Sequence, residues 1–171
     1  MVSKVIFDAS TLIDIWEKYP KDLKIFDSVW ELISELINDH MICVTYTNFE
    51  EVKHKSDDAY YFYKSLNVET IVPNQEILQR ALTIQKTLGL SDADIKNKLR
   101  DGVDEGDIIC IATAQHNNLI LVTEEKKQPT YKGNAGPSFA KYKIPKVCEL
   151  ISVDVECIRF LDYLQLLKET Y

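Results

Sequence analysis

Apolar residues fall into two alternating patterns along the chain: short continuous runs, and longer stretches in which they recur every three or four positions. Residues 4–7, 41–44, 119–122 and 153–158 are runs of the first kind, rich in Val, Ile and Leu, and predict strands, and residues 68–72 before Pro73 predict a strand or an extended connector. Ser10 opens a stretch with Leu12, Ile13 and Trp16 at helical spacing, and residues 25–37 place Ile25, Phe26, Val29, Trp30, Ile33, Leu36 and Ile37 on one helical face. A further helix is predicted from Thr47, where Thr47-Asn48-Phe49-Glu50 has the form of a capping box and Phe49 and Val52 face inward. Residues 60–66 predict an aromatic helix, residues 75–88 a helix stopped at Gly89, and residues 91–100 a short polar helix. Asp104 is positioned to cap an apolar helix over 108–115 that ends near Asn117-Asn118. A closing helix over 159–168 turns Phe160, Leu161, Leu164 and Leu167 inward.

Short β-branched strands alternating with amphipathic helices predict the α/β class: a three-layer sandwich with a mainly parallel central sheet covered by helices on both faces. No internal repeat or linker interrupts the pattern, so residues 1–171 are expected to form a single domain.

The composition fits that architecture. With 171 residues, 46% hydrophobic and 27% charged, the chain is long enough to bury a core without disulfide or zinc staples, and disordered or collagen-like classes are excluded. No apolar run reaches the roughly 18 residues of a membrane span, and the N-terminal residues lack the apolar segment of a signal peptide. A cytoplasmic protein without a membrane partner is expected. Cys43, Cys110, Cys148 and Cys157 form no C-x-x-C pair and read as core residues. The net charge of −7 argues against coating nucleic acid by bulk electrostatics, but not against gripping a few phosphates locally. Residues 126–148 break the acidic trend: Lys126, Lys127, Lys132, Lys141, Lys143 and Lys146 occur there with no acidic residue and three of the five prolines. This is a basic, loop-rich segment.

Ligands of parallel α/β sheets bind outside the carboxyl ends of the strands. Asp8 follows the first predicted strand, Thr123-Glu124-Glu125 follow the fourth, Glu50-Glu51 lie on the helix after the second, and Asp104 and Asp107 open the apolar helix. Each acid also reads as a helix cap or a solvated turn, but several such caps at the sheet end where a site belongs point to one cleft. Carboxylates gathered there raise one another's pKa unless a cation intervenes, and all-oxygen donors favour a hard ion such as Mg²⁺ or Mn²⁺. His40, His54 and His116 have no zinc-ligand spacing and read as surface or structural residues, and no phosphate-cradling glycine motif occurs. The pattern leaves Glu50 and Glu51 as alternatives.

The segments Val5-Ile6-Phe7-Asp8-Ala9-Ser10, Thr47-Asn48-Phe49-Glu50-Glu51-Val52, Asp104-Glu105-Gly106-Asp107-Ile108-Ile109-Cys110-Ile111-Ala112-Thr113-Ala114 and Leu121-Val122-Thr123-Glu124-Glu125 together resemble the four acidic motifs of PIN-domain nucleases, in order and spacing, across nearly the whole chain. Ile144-Pro145-Lys146-Val147-Cys148, followed by a strand and helix, is similar to a bacterial and archaeal PIN-like branch. The resemblance implies a PIN-like fold and a metal-dependent endoribonuclease using Mg²⁺ or Mn²⁺, often the toxin of a toxin–antitoxin pair. It implies Asp8, Glu51 and Asp107 as the principal metal-site acids, with Glu51 preferred because the family's acid directly precedes an aliphatic residue, here Val52. Asp104 and Glu125 would support them, and Thr123 would orient the carboxylates or a water. The fourth motif usually ends in Asp, whereas this chain has Glu124 and Glu125.

Lys126, Lys127, Lys132, Lys141 and Lys143 would then contact RNA phosphates, and Tyr131, Phe139 and Tyr142 would stack on unpaired bases. The expected partners are an RNA substrate, a cognate antitoxin protein and a second copy of the chain. The alternative reading is a non-catalytic PIN-like module that binds RNA or protein.

Overall fold

The run Val5–Phe7 forms strand β1 with every residue buried, as a strand covered on both faces requires. The computed structural model describes residues 3–97, 101–129 and 139–170. Among these residues β1 is followed by helix α1 (Ala9–Lys18), α2 (Asp27–Asn38), β2 (Ile42–Thr45), α3 (Tyr46–Lys55), α4 (Asp57–Ser65) and β3 (Glu69–Ile71). The second half carries α5 (Gln75–Thr87), α6 (Asp92–Lys96), α7 (Glu105–Asn117), β4 (Ile120–Val122), α8 (Ile144–Cys148), β5 (Cys157–Ile158) and α9 (Phe160–Thr170).

The strands form one sheet in the order β3-β2-β1-β4-β5, and every pairing is parallel. Ile6 lies opposite Cys43 and Leu121, so the two-residue alternation of side chains sorts the sheet into two faces. Val5, Phe7, Ile42, Val44 and Val122 pack with Leu12, Ile33, Tyr63, Phe160 and Tyr163 from α1, α2, α4 and α9. Ile6, Cys43 and Leu121 pack with Ile77, Ile95, Ile111 and Val147 from α5, α6, α7 and α8. The protein is therefore a three-layer α/β sandwich, as the alternation of patterns predicts. No helix among the described residues is long and apolar enough to cross a membrane.

The chain grows from β1 to β2 and β3 on one side, then crosses to β4 and β5 on the other. The direction of winding reverses between β1 and β4, and in sheets of this kind the crevice for a ligand opens at that switch point.

Several boundaries differ from the sequence expectations. The helix predicted over 25–37 is entered through a 3-10 turn, Lys24–Phe26, whose tighter winding rotates Ile25 out to 78% exposure. The cap of α3 is Thr45, not Thr47, because β2 runs into the helix without a loop and the Thr45 hydroxyl accepts the Asn48 N–H. Only Cys157–Ile158 of the predicted 153–158 strand is extended; Asp154 adopts φ +47 in a turn, and Val153 and Val155 fill the core beneath it. The basic segment is not all loop, since Pro145 sits in the first turn of α8. On α9 the inward face is Phe160, Tyr163 and Leu167 with Leu164 packed partly buried beside them, and Leu161 is 55% exposed. Cys43, Cys110 and Cys148 are buried as expected, while Cys157 at the edge strand is half-buried. Gly89 stops α5 with φ +67, a conformation that suits glycine.

Phe7 meets Phe160 and Tyr163 edge to face, each with centroids 6.1 Å apart, joining the central strand to α9. Phe7→Ala is expected to cost about 3–5 kcal/mol, read by urea unfolding, because truncation empties a closed site. A loss below about 1 kcal/mol would show that α9 is not tied to the core through this residue.

Candidate functional site

Asp8 is the residue at which β1 ends and α1 begins. Its backbone N–H donates to Val122 O at 3.2 Å, extending the β1 to β4 ladder by one residue. Its side chain, 3% exposed, caps α1 by accepting the Thr11 N–H at 2.8 Å. The Ser10 hydroxyl lies 2.9 Å from both carboxylate oxygens, and the Thr123 hydroxyl donates to Oδ2 at 2.7 Å. The Thr11 hydroxyl stands 2.7 Å from Oδ1 and 2.8 Å from Val122 O, and its single proton serves one of them at a time. Burial pushes the Asp8 carboxyl up, and the Thr11, Thr123 and Ser10 donors oppose that rise. The cap and the site reading thus fall on the same residue, and Thr123 positions Asp8 from the neighbouring strand.

Asp104 and Asp107 open α7 as a reciprocal capping box: Asp104 Oδ1 accepts the Asp107 N–H at 2.9 Å, and Asp107 Oδ2 accepts the Asp104 N–H at 3.0 Å. Burial, then the charges of Asp104, Glu125 and Asp8, push the Asp107 carboxyl up to about 8, against the hydrogen bond from Asp104. These carboxylates therefore share one electrostatic environment although they lie far apart in sequence.

Glu124 and Glu125 separate at the turn after β4. Glu124 faces α9, accepting the Phe160 N–H at 2.9 Å and an Arg159 guanidinium N–H at 3.1 Å. It is a structural cap. Glu125 turns toward the cleft and accepts the Ile144 N–H at 2.9 Å. Burial raises its carboxyl first, the Ile144 contact opposes this, Asp8 and Asp104 add to the rise, and Lys143 counters it.

Glu51 lies on α3 and is ion-paired with Lys55. The Lys55 ammonium is held above its ordinary value by the Glu51 contact and by the charges of Glu51, Asp104 and Asp107, with partial burial acting the other way. Glu51 therefore shares a counterion with the α7 acids. Lys55 and Ser10 are members of the cleft that the motif reading passed over, and the Glu51-to-Lys55 spacing of one helical turn was the available signal.

The basic segment adjoins the same edge. Lys126, Lys127, Lys141 and Lys143 are exposed. Phe139 is 51% exposed and meets Tyr142 edge to face at 5.2 Å. Tyr131 and Lys132 lie outside the described residues. Of the run Tyr60-Tyr61-Phe62-Tyr63, Tyr60 and Tyr63 are buried and Phe62 packs partly buried against the same core, so only Tyr61 is left exposed.

The acids converge without closing into a finished ligand set. Among the described residues, no three His, Cys, Asp or Glu side chains stand close enough to hold one metal ion. The donor chemistry nevertheless suits a hard divalent ion: all-oxygen, buried and crowded enough to lift Asp107, and partly neutralised by the ammonium groups of Lys55 and Lys143.

The protein is thus an α/β sandwich with an acidic cleft at the switch point of a parallel sheet. The chain belongs to the family described as a domain of unknown function (DUF4411), which it matches over residues 5–171. No curated protein matches it.

The raised Asp107 carboxyl has a consequence for stability. Its folded value near 8 lies above the ordinary 3.8, so the folded state binds the extra proton and stability falls as pH rises between those values. In metal-free buffer the melting temperature of Asp107→Asn is expected to exceed wild type by a margin that widens as pH rises through this window. A constant margin across it would show that Asp107 titrates normally.

Proposed function

We propose that this protein is a cytoplasmic, PIN-like, Mg²⁺- or Mn²⁺-dependent endoribonuclease that hydrolyses RNA phosphodiester bonds, and on the same resemblance the toxin of a toxin–antitoxin pair. The observation that carries the reading is the shared field of Asp8, Asp104, Asp107 and Glu125 at the β1 to β4 switch point. Asp8, Glu51 and Asp107 would hold the ion, with Asp104 and Glu125 in support. A divalent ion there supplies stabilisation of charge on the phosphate and makes a water more acidic.

The remaining chemistry belongs to the chain. Ser10, Thr11 and Thr123 fix the Asp8 carboxylate in one orientation, so little ordering remains for the moment of reaction. Lys126, Lys127, Lys141 and Lys143 neutralise backbone phosphates beside the cleft, and Phe139 and Tyr142 offer ring faces and edges to unpaired bases. The acidic cleft repels RNA unless both the ion and the lysines are engaged, which couples binding to the charge state of the site.

One observation favours the second reading, a non-catalytic module: Glu125 already spends an oxygen on the Ile144 N–H rather than on the cleft. A single assay separates the two. Wild type is expected to cleave single-stranded RNA with Mn²⁺ and not with EDTA, and Asp8→Asn to lose at least about a hundredfold in rate. The Asn retains a capping oxygen, so its melting temperature stays near wild type. Equal rates for the two proteins remove Asp8 from the mechanism, and tight RNA binding without turnover in any divalent metal supports the module.

A further inference from the structure

Asn48 differs from every other polar residue named at the cleft. It is 1% exposed, and among the described residues neither its Oδ1 nor its Nδ2 has a hydrogen-bond partner. A buried amide without partners costs stability, and native proteins keep few of them. Helix capping does not account for it. The Asn48 backbone N–H is satisfied by the Thr45 hydroxyl at 3.2 Å, and the side chain takes no part in that bond.

Its position supplies the reason. Asn48, Glu51 and Lys55 follow one another at i, i+3 and i+7 on α3, and so form one stripe along the helix. That stripe meets the first turn of α7. A β-carbon at Gly106 would lie 3.2 Å from Asn48 Oδ1 and 3.4 Å from Asp104 Oδ1. Glycine at 106 therefore lets the amide lie against the turn that carries Asp104 and Asp107, and any side chain there would press on it. An amide oxygen is a hard, neutral donor of the kind oxygen-liganded cations accept beside carboxylates. It adds coordination without adding charge to a cleft whose acids already repel.

We propose that Asn48 is the uncharged member of the cation site, its side-chain oxygen joining Asp8, Glu51 and Asp107 as a donor to a divalent ion. This rests on the metal-dependent reading above and extends it to a residue outside the acidic motifs. The amide oxygen is then an acceptor left unsatisfied by folding and satisfied by the ion.

A structural role and a cation-binding role differ in sign. Replacing the amide by an apolar side chain of similar size removes the unsatisfied group, so full-length Asn48→Leu in EDTA is expected to melt roughly 2–4 °C above wild type. The same variant is expected to bind Mn²⁺ about tenfold more weakly or worse by isothermal titration. Asn48→Asp keeps an oxygen donor while adding charge, and is expected to melt lower than wild type in EDTA and to retain Mn²⁺ binding. The proposal is overturned if Asn48→Leu melts lower than wild type or does not fold, either of which marks a structural amide, or if it binds Mn²⁺ as wild type does. Wild type that binds no Mn²⁺ overturns the metal-dependent reading together with this one; wild-type binding matched by Asn48→Leu overturns the assignment of Asn48 alone.

Discussion

Repulsion between carboxylates that burial has partly stripped of water governs the carboxyl end of this sheet. Asp8, Asp104, Asp107 and Glu125 come from three separate stretches of chain, yet each of Asp107 and Glu125 responds to the charge of Asp8 and Asp104. The fold opposes this repulsion with oriented dipoles: the first turns of α1 and α7, the Ile144 N–H, and hydroxyls from Ser10, Thr11 and Thr123. Lys55 adds a positive charge from α3. The compensation is incomplete, since Asp107 still sits near 8, and that residual imbalance is what the proposed cation would relieve.

The same elements that create the imbalance are those the core makes rigid. β1 and β4 are buried on both faces, so Asp8 and Thr123 leave the sheet at fixed points. α7 is apolar along its length, with Ile108, Ile111 and Ala112 buried, and its capped first turn is held against α3. Strain at the cleft is therefore not relieved by moving the backbone. It falls on side chains: the orphaned Asn48 amide, the protonation of Asp107, and the Glu51 to Lys55 pair.

Hydrophobic pattern marked the three central strands, β1, β2 and β4, because a strand buried on both faces leaves a continuous apolar run, whereas the half-buried edge strands β3 and β5 gave weaker or overlong signals. It placed the Asp104 cap correctly for the same kind of reason, since Asp104 and Asp107 satisfy each other locally. The α3 cap was misplaced because Thr45 serves as strand end and helix cap at once, which no local motif announces. α8 hid in a lysine-rich stretch whose composition resembles loop. At the cleft, the difference between Glu124 and Glu125 was not legible, because it is decided by Arg159 and Phe160 from the far end of the chain. Asn48 lies inside one of the acidic motifs yet carries no signal of its own, since its isolation is a property of packing against Gly106.

Manganese anomalous scattering from crystals grown with Mn²⁺ tests the proposed cation site most directly. The expected map has a peak bounded by Asp8, Glu51 and Asp107, with the Lys55 ammonium withdrawn from Glu51. A cleft without a peak in crystals of protein that binds Mn²⁺ in solution, or a peak confined to other carboxylates, contradicts it.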